Sequence, residues 1–261
     1  MPDLSTRRSS AADHPTRSGR RRYSVAALIL AAVVGATALG ASPLLERGDG
    51  EVLAVDGPIT QIVIELDRGN VDVVASADRR SRSVTLERRP VWRFDEPTVD
   101  HRVDDGALWV SAACPGGVPV LSRCRVDHRL EVPRGVSLQV RTGHGNVTVE
   151  SLRGSVEIRT GRGSVLGASL GSHEFVVMSD GGDVSLRFAE MPSRVEVASA
   201  GGDVDLVVPG GPFDLDVSAA GATVEVEVPT RSHAEALLTV ASDGGTVRVR
   251  PPGEADLHTR G

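Results

Sequence analysis

Four aspartates recur at matched places in the second half of the chain. Asp180 and Asp183 lie in Met178-Ser-Asp-Gly-Gly-Asp-Val184, and Asp203 and Asp205 in Ala198-Ser-Ala-Gly-Gly-Asp-Val-Asp205. Carboxylates stacked on glycine turns bind Ca²⁺ in the nonapeptide repeats of β-rolls, so these four are the candidate metal ligands. The neighbouring turns offer Asn146, Ser164, Ala222 and Thr246 instead, so no ladder of carboxylates is sustained. Asp and Gly are also good turn formers. The expectation is therefore solvated turn residues and no bound metal or cofactor. A second motif, Gly167-Ala-Ser-Leu-Gly171, spells a nucleophile elbow, with His173 and His233 downstream. An elbow needs a strand-to-helix turn, and Glu174-Phe-Val-Val-Met178 reads as strand, so the motif is expected to be a connector and no catalytic residue is assigned. The run Asp100-His-Arg-Val-Asp-Asp105 has no metal-site spacing and reads as a solvated loop. Gly161-Arg-Gly163 opens no helix and is no dinucleotide fingerprint.

The elements that carry these residues repeat. The phrase Arg141-Thr-Gly-His-Gly-Asn-Val147 returns as Arg159-Thr-Gly-Arg-Gly-Ser-Val165, as the two aspartate phrases, as Val217-Ser-Ala-Ala-Gly-Ala-Thr-Val224 and as Ala241-Ser-Asp-Gly-Gly-Thr-Val247. Its second glycines fall at 145, 163, 182, 202, 221 and 245, with spacings of 18, 19, 20, 19 and 24. Gly69-Asn-Val-Asp-Val73 is an earlier, degenerate copy. Within each period the pattern alternates every second residue. Val195, Val197, Val204, Leu206 and Val208 form an inward row, as do Phe213, Leu215 and Val217, and Val224, Val226 and Val228. Charged residues such as Glu196, Asp205, Asp214 and Glu225 alternate with them, which is the mark of half-buried strands. Each period is thus strand, glycine turn, strand, connector. One unit cannot bury its own apolar face, but stacked units can. Two architectures fit: a β-solenoid of stacked coils, favoured by the fixed turn spacing, and an antiparallel meander with the same alternation. Earlier strands are expected at Ile59–Leu66, Val71–Ala75, Ser83–Glu87, Ala107–Ala112 and Arg125–Val132.

The 261 residues hold 3% aromatics, 29 Gly and 15 Pro, and all 29 basic residues are Arg. Residues 1–24 carry six Arg against two Asp, a net +4, so the rest of the chain carries −10 of the formal −6 total. A globular part this acidic excludes a nucleic-acid partner, since phosphate contacts need basic surfaces. Residues 1–22 read as a disordered cytoplasmic tail. Ser24 to Leu45 carries no charge and is long enough to cross a bilayer, with Arg20, Arg21 and Arg22 on its amino side. The expected organisation is an anchor over 23–45, a linker over 46–58, an exported β-domain over 59–250 and a flexible tail over 251–261. A signal peptide cut near Ala36-Thr-Ala38 is the competing reading, and it exports the domain equally. In an exported domain the only cysteines, Cys114 and Cys124, flanking Pro115-Gly-Gly-Val-Pro119, read as a disulfide that pins the hairpin starting the repeats.

On these residues the chain resembles the bacterial putative-adhesin family of strand-repeat domains. The matching features are Cys114…Cys124, the Val132-Pro-Arg-Gly135 turn, Val140-Arg-Thr-Gly-His-Gly-Asn-Val147 and Met178-Ser-Asp-Gly-Gly-Asp-Val184, over roughly 55–250. Ala222-Thr223 and the long last period depart from the pattern. The resemblance implies a β-solenoid in the envelope, sometimes linked to envelope-stress systems, with no established catalytic residues. The function that follows is a membrane-anchored, non-enzymatic module contacting an envelope protein or wall polymer. The alternative is a β-helical polysaccharide-active enzyme, which would carry longer three-strand coils and a cleft of charged and aromatic residues.

Overall fold

The computed structural model describes residues 48–116 and 123–253. Expectations for 1–22, 23–45 and most of 251–261 lie outside the described residues. Among those described, every regular element is a strand. The first seven are β1 (Glu51–Val55), β2 (Gln61–Arg68), β3 (Val71–Ala75), β4 (Val84–Arg93), β5 (Thr98–Asp104), β6 (Ala107–Ala113) and β7 (Arg123–Val132). The repeats follow as six strand–turn–strand units. They are β8 (Ser137–His144) with β9 (Val147–Glu150), β10 (Val156–Arg162) with β11 (Val165–Leu170), and β12 (Glu174–Ser179) with β13 (Val184–Phe188). Then come β14 (Arg194–Ser199) with β15 (Val204–Val207), β16 (Phe213–Ala219) with β17 (Thr223–Val226), and β18 (Ala236–Ser242) with β19 (Thr246–Arg250).

Within each unit the first strand joins one sheet and the second joins the other. The nine-stranded sheet runs β16-β18-β14-β12-β10-β8-β2-β6-β5 and the ten-stranded sheet β1-β4-β7-β3-β9-β11-β13-β15-β19-β17. From β8 to β19 every pairing is parallel, which rules out the meander. The sheets as wholes are mixed, because β5 pairs antiparallel with β6, and β4 antiparallel with both β1 and β7. Two expectations are corrected here. Glu51–Val55, read as linker, is a strand on β4, and most of the run Asp100–Asp105, read as a loop, lies in Thr98–Asp104, a strand on β6. Both are edge strands with one neighbour each, and only Leu53, Val55 and Val99 reach the core, which is too short a buried row for the alternation rule to detect.

The core lies between the sheets as columns of like side chains in register. One column runs His128, Val71, Val147, Val165, Val184, Val204, Val247, and each of its members is almost fully buried. Each buried aliphatic side chain contributes roughly 1.5–3 kcal/mol, so these columns supply most of what holds the stack together. Phe175 and Phe188 meet edge-to-face across the core, with ring centroids 5.8 Å apart. The inward assignments of Val195, Val197, Val204, Leu206, Val208 and Phe213 hold, and Val207, outside that row, is buried as well.

The turns fix the stacking. A Cβ on Gly145 would lie 1.9 Å from the Gly69 carbonyl oxygen, and one on Gly163 would lie 2.0 Å from that of Gly145. These residues have φ of 150° and 152°, so the turn needs glycine both for its conformation and for the close approach of one coil to the next. The residue after the glycine then bonds the coils to each other. The Asn146 N–H donates to Asn70 Oδ1 and the Ser164 N–H to Asn146 Oδ1, both at 2.9 Å.

The last two units do not stack in chain order. The β18–β19 unit lies between β14–β15 and β16–β17. Its inward side chains Leu238, Val240, Val247 and Val249 are buried, whereas Val224 and Val226 of β17 are 42% and 39% exposed at the end of the stack. The more apolar unit takes the covered place, and the unit carrying Asp214, Asp216, Glu225 and Glu227 takes the end. This insertion is the structural content of the long last period.

Candidate functional site

The metal candidates do not converge. The Asp203 N–H donates to Asp183 Oδ1 at 2.9 Å, and the Thr246 N–H donates to Asp203 Oδ1 at 2.7 Å. Asp183 and Asp203 are thus acceptors in the same inter-coil ladder as Asn70 and Asn146, rather than merely solvated turn residues. Asp205 pairs with Arg250, Oδ1 to Nε at 3.2 Å, and Asp180 lines a groove on the nine-stranded sheet. Among the described residues no three His, Cys, Asp or Glu side chains are grouped to hold a metal ion.

The elbow-like motif is part of β11, not a connector. The register shifts between Gly167 and Leu170, and Ser169 sits in that bulge with φ 51°. The chain continues into β12 without a helix, and His173 and His233 are exposed on separate connections. The His233 N–H donates to Asp214 Oδ2 at 3.0 Å, in the loop before β18.

Cys114 and Cys124 are disulfide-bonded, with Cα atoms 5.8 Å apart. The hairpin expected there is absent, because β6 and β7 belong to different sheets and the bond links them at one end. The Cys114 N–H donates to Asp67 Oδ2 at 3.0 Å, which ties the same corner to β2.

That corner borders a broad concavity. A groove of about 570 Å³ crosses the outer face of the nine-stranded sheet, lined by Glu65 and Asp67 of β2, Arg141 of β8, Arg159 of β10 and Met178 of β12. A second hollow of about 430 Å³ adjoins it through Glu65 and Ser111 and holds Asp100, Arg102 and Trp109. The Arg102 guanidinium carbon lies 5.0 Å from the Trp109 ring centroid, a cation–π contact. Arg141 pairs with Glu65 at 3.3 Å, and Arg159 pairs with Glu157. Beside Trp109 in register, Val63 points to the same outer face and is still buried. The face therefore combines an aromatic ring, an apolar floor and alternating charges along about 24 Å from β5 to β12, at roughly 4.8 Å per strand.

The sequence reading missed Trp109 and these rows. The available signal was the alternation in Leu108-Trp109-Val110, which puts the large ring on the face opposite two buried aliphatics. The groove itself could not be read, because Glu65, Arg141 and Arg159 are brought side by side only by strand register.

His128 is a second feature the sequence did not reveal. It sits 2% exposed in the valine column, its Nδ1 3.1 Å from the Val126 carbonyl oxygen and its Nε2 without a partner. Its pKa is pushed down to about 4, first by burial and then by the Arg88 charge, against the opposing pull of that carbonyl and of Asp127. The imidazole is neutral at pH 7, so it belongs to the core rather than to acid–base chemistry.

No protein-family model matches the chain, and no curated protein matches it. Solved structures resemble it at low identity. A putative cell adhesion protein from Clostridium sporogenes aligns with TM-score 0.48 and 10% identity, over 79% of this chain and 100% of that one. A putative adhesin from Bacteroides fragilis aligns with TM-score 0.41 and 16% identity, over 76% and 97%. A putative lipid binding protein from Parabacteroides distasonis aligns with TM-score 0.29 and 10% identity, over 77% and 97%.

Proposed function

We propose that the chain is a membrane-anchored, non-enzymatic envelope module, a β-solenoid that holds an extended wall polymer across the outer face of its nine-stranded sheet. The observation that carries this is the groove from Trp109 and Arg102 through Glu65 and Arg141 to Arg159 and Met178. Its aromatic ring offers a flat apolar surface, and its paired charges offer both donors and acceptors to a polymer with hydroxyl, carboxylate or amine groups. The parallel register of the repeats supports the solenoid, because each coil adds one strand to each sheet and lengthens the face by one row. The uncharged segment 24–45, with Arg20–Arg22 before it, anchors the module with its amino terminus in the cytoplasm and the β-domain outside. There the occupancy of the groove is a means of sensing the state of the envelope.

The test is co-sedimentation of the full chain in detergent with insoluble cell-wall polymer, with the supernatant assayed for released fragments. Binding should fall about tenfold in Trp109→Ala and in Arg141→Glu, with no fragments released. Undiminished binding by Trp109→Ala moves the site away from this face. Fragment release establishes the polysaccharide-active enzyme instead, and capture of an envelope protein with no affinity for polymer changes the class of partner.

A further inference from the structure

The two ends of the stack are finished differently. At one end the antiparallel strands β1, β4 and β5 close the sheets. At the other, β16 and β17 are the outermost strands, and among the described residues no strand pairs with the free edge of β17. Terminal units of a stacked repeat ordinarily need a cap, because their inner face has no further coil over it. Here Val224 and Val226, in register with the buried Val247 and Val249, remain 42% and 39% exposed. Among the described residues the edge of β16 is bonded at its start, where the Phe213 N–H donates to the Pro229 carbonyl and the Arg231 N–H to the Phe213 carbonyl.

The backbone of β17 is poised for another strand. The N–H groups of Thr223 and Glu227 donate to the Gly245 and Val249 carbonyls of the β19 side, at 3.0 and 2.8 Å. Since main-chain groups alternate along a strand, those of Val224 and Val226 point to the open side. The occupied side shows what fits there. β19 reads Thr246-Val-Arg-Val-Arg250, its valines continuing the inner columns while Arg248 Nε donates to Glu225 Oε2 at 2.7 Å. On the outer face of this edge the charges are Glu225, which already meets Arg248, and Glu227.

We propose that this end is a strand-acceptor site, completed by an extended peptide segment of a partner protein whose aliphatic and basic side chains alternate as they do in β19. Strand addition to an exposed edge takes its affinity from main-chain bonds and its selectivity from alternate side chains. Here the aliphatic row closes the core over Val224 and Val226, and the basic row faces Glu225 and Glu227. The same acidic row disfavours a second copy of this chain, because a two-fold pairing of these edges sets like charges opposite each other. The site lies at the end of the stack, apart from the groove.

The probe is a labelled synthetic peptide, Thr-Val-Arg-Val-Arg-Val, added to the full chain in detergent. Two control peptides replace Arg by Glu or Val by Ser. By fluorescence anisotropy the Arg peptide should bind at least about tenfold tighter than either control, and it should slow hydrogen exchange at the Val224 and Val226 amides. Val224→Pro removes one open-side donor and no bond to β19, so it should cost at least about tenfold in affinity with the melting temperature retained. Glu225→Lys/Glu227→Lys should reverse the preference toward the Glu peptide. Equal binding of the Arg and Glu peptides overturns the proposal, as does unchanged binding by Val224→Pro. So does a concentration-dependent dimer that protects the same amides and excludes the peptide, since the occupant is then a second copy.

Discussion

At the residue scale the chain's stability depends on groups that titrate or donate inside the stack. His128 is neutral and buried, with a pKa pushed down to about 4 from its ordinary 6.5. Between those two values the unfolded chain binds a proton that the folded chain refuses. Stability is therefore complete above pH 6.5, falls as the pH drops toward 4, and loses nothing more from this group below that. The full shift corresponds to about 3 kcal/mol, or roughly 6–12 °C in melting temperature for a chain of this size. His128→Leu should remove that part of the acid sensitivity, read from melting curves at pH 7.0 and 4.5; an unchanged difference assigns the acid loss to other groups. Asp203 makes a second test. It holds the Thr246 N–H, and an amide oxygen accepts as well as a carboxylate, as Asn70 and Asn146 do in the same ladder. Asp203→Asn should change stability by less than about 0.5 kcal/mol, and Asp203→Ala should cost about 1 kcal/mol. If both destabilise alike in EDTA and both abolish a Ca²⁺-specific rise in melting temperature, the carboxylate is a metal ligand after all.

At the scale of the element, the glycine turn sets the coil spacing. Gly163 approaches the Gly145 carbonyl oxygen too closely for any side chain and has φ 152°, whereas Gly181, in the next coil's turn, has nothing within 4 Å of a built Cβ. Gly163→Ala should destabilise by roughly 2–4 kcal/mol, from backbone strain and from displacement of the neighbouring coil, while Gly181→Ala should stay within about 0.5 kcal/mol. Urea melts of the two variants decide this, and equal effects would mean that the coils are not spaced by the turn glycines. The Ser column works at the same level. Ser179, Ser199 and Ser242 each donate to the carbonyl of the glycine two residues on, which satisfies a buried hydroxyl within its own turn. Thr142 and Thr160 occupy the same column with their hydroxyls unpaired, a difference for which the structure offers no physical account.

For the whole molecule, two connections matter beyond the columns. The disulfide joins the end of β6 in one sheet to β7 in the other, across a sequence separation of ten. Closing a loop of that length contributes about 2.5–3 kcal/mol in the chain-entropy model, so Cys114→Ser/Cys124→Ser should melt roughly 5–10 °C lower. Reductant should lower the parent chain by the same amount and leave the double variant unchanged. The proposed anchor and its orientation are tested on intact cells. External protease should remove the β-domain and spare a tag at residue 2, and loss of the tag along with the domain reverses the orientation.

Much of this molecule is decided locally and was legible in the residues. Alternation of aliphatic and charged side chains made the strands, because a pleated chain sends successive side chains to opposite faces. The recurring glycines marked the turns, because only glycine tolerates both the positive φ and the close approach seen at Gly145 and Gly163. The lone cysteine pair marked its bond. What the residues left open depends on which strand lies beside which. The ladder role of Asp183 and Asp203, the groove beside Trp109 and the burial of His128 each come from register between coils distant in sequence. The insertion of β18–β19 ahead of β16–β17 is of the same kind. Alternation gives both units inward valines, and only competition for one covered position, won by the unit with more apolar surface to bury, settles which of them ends the stack.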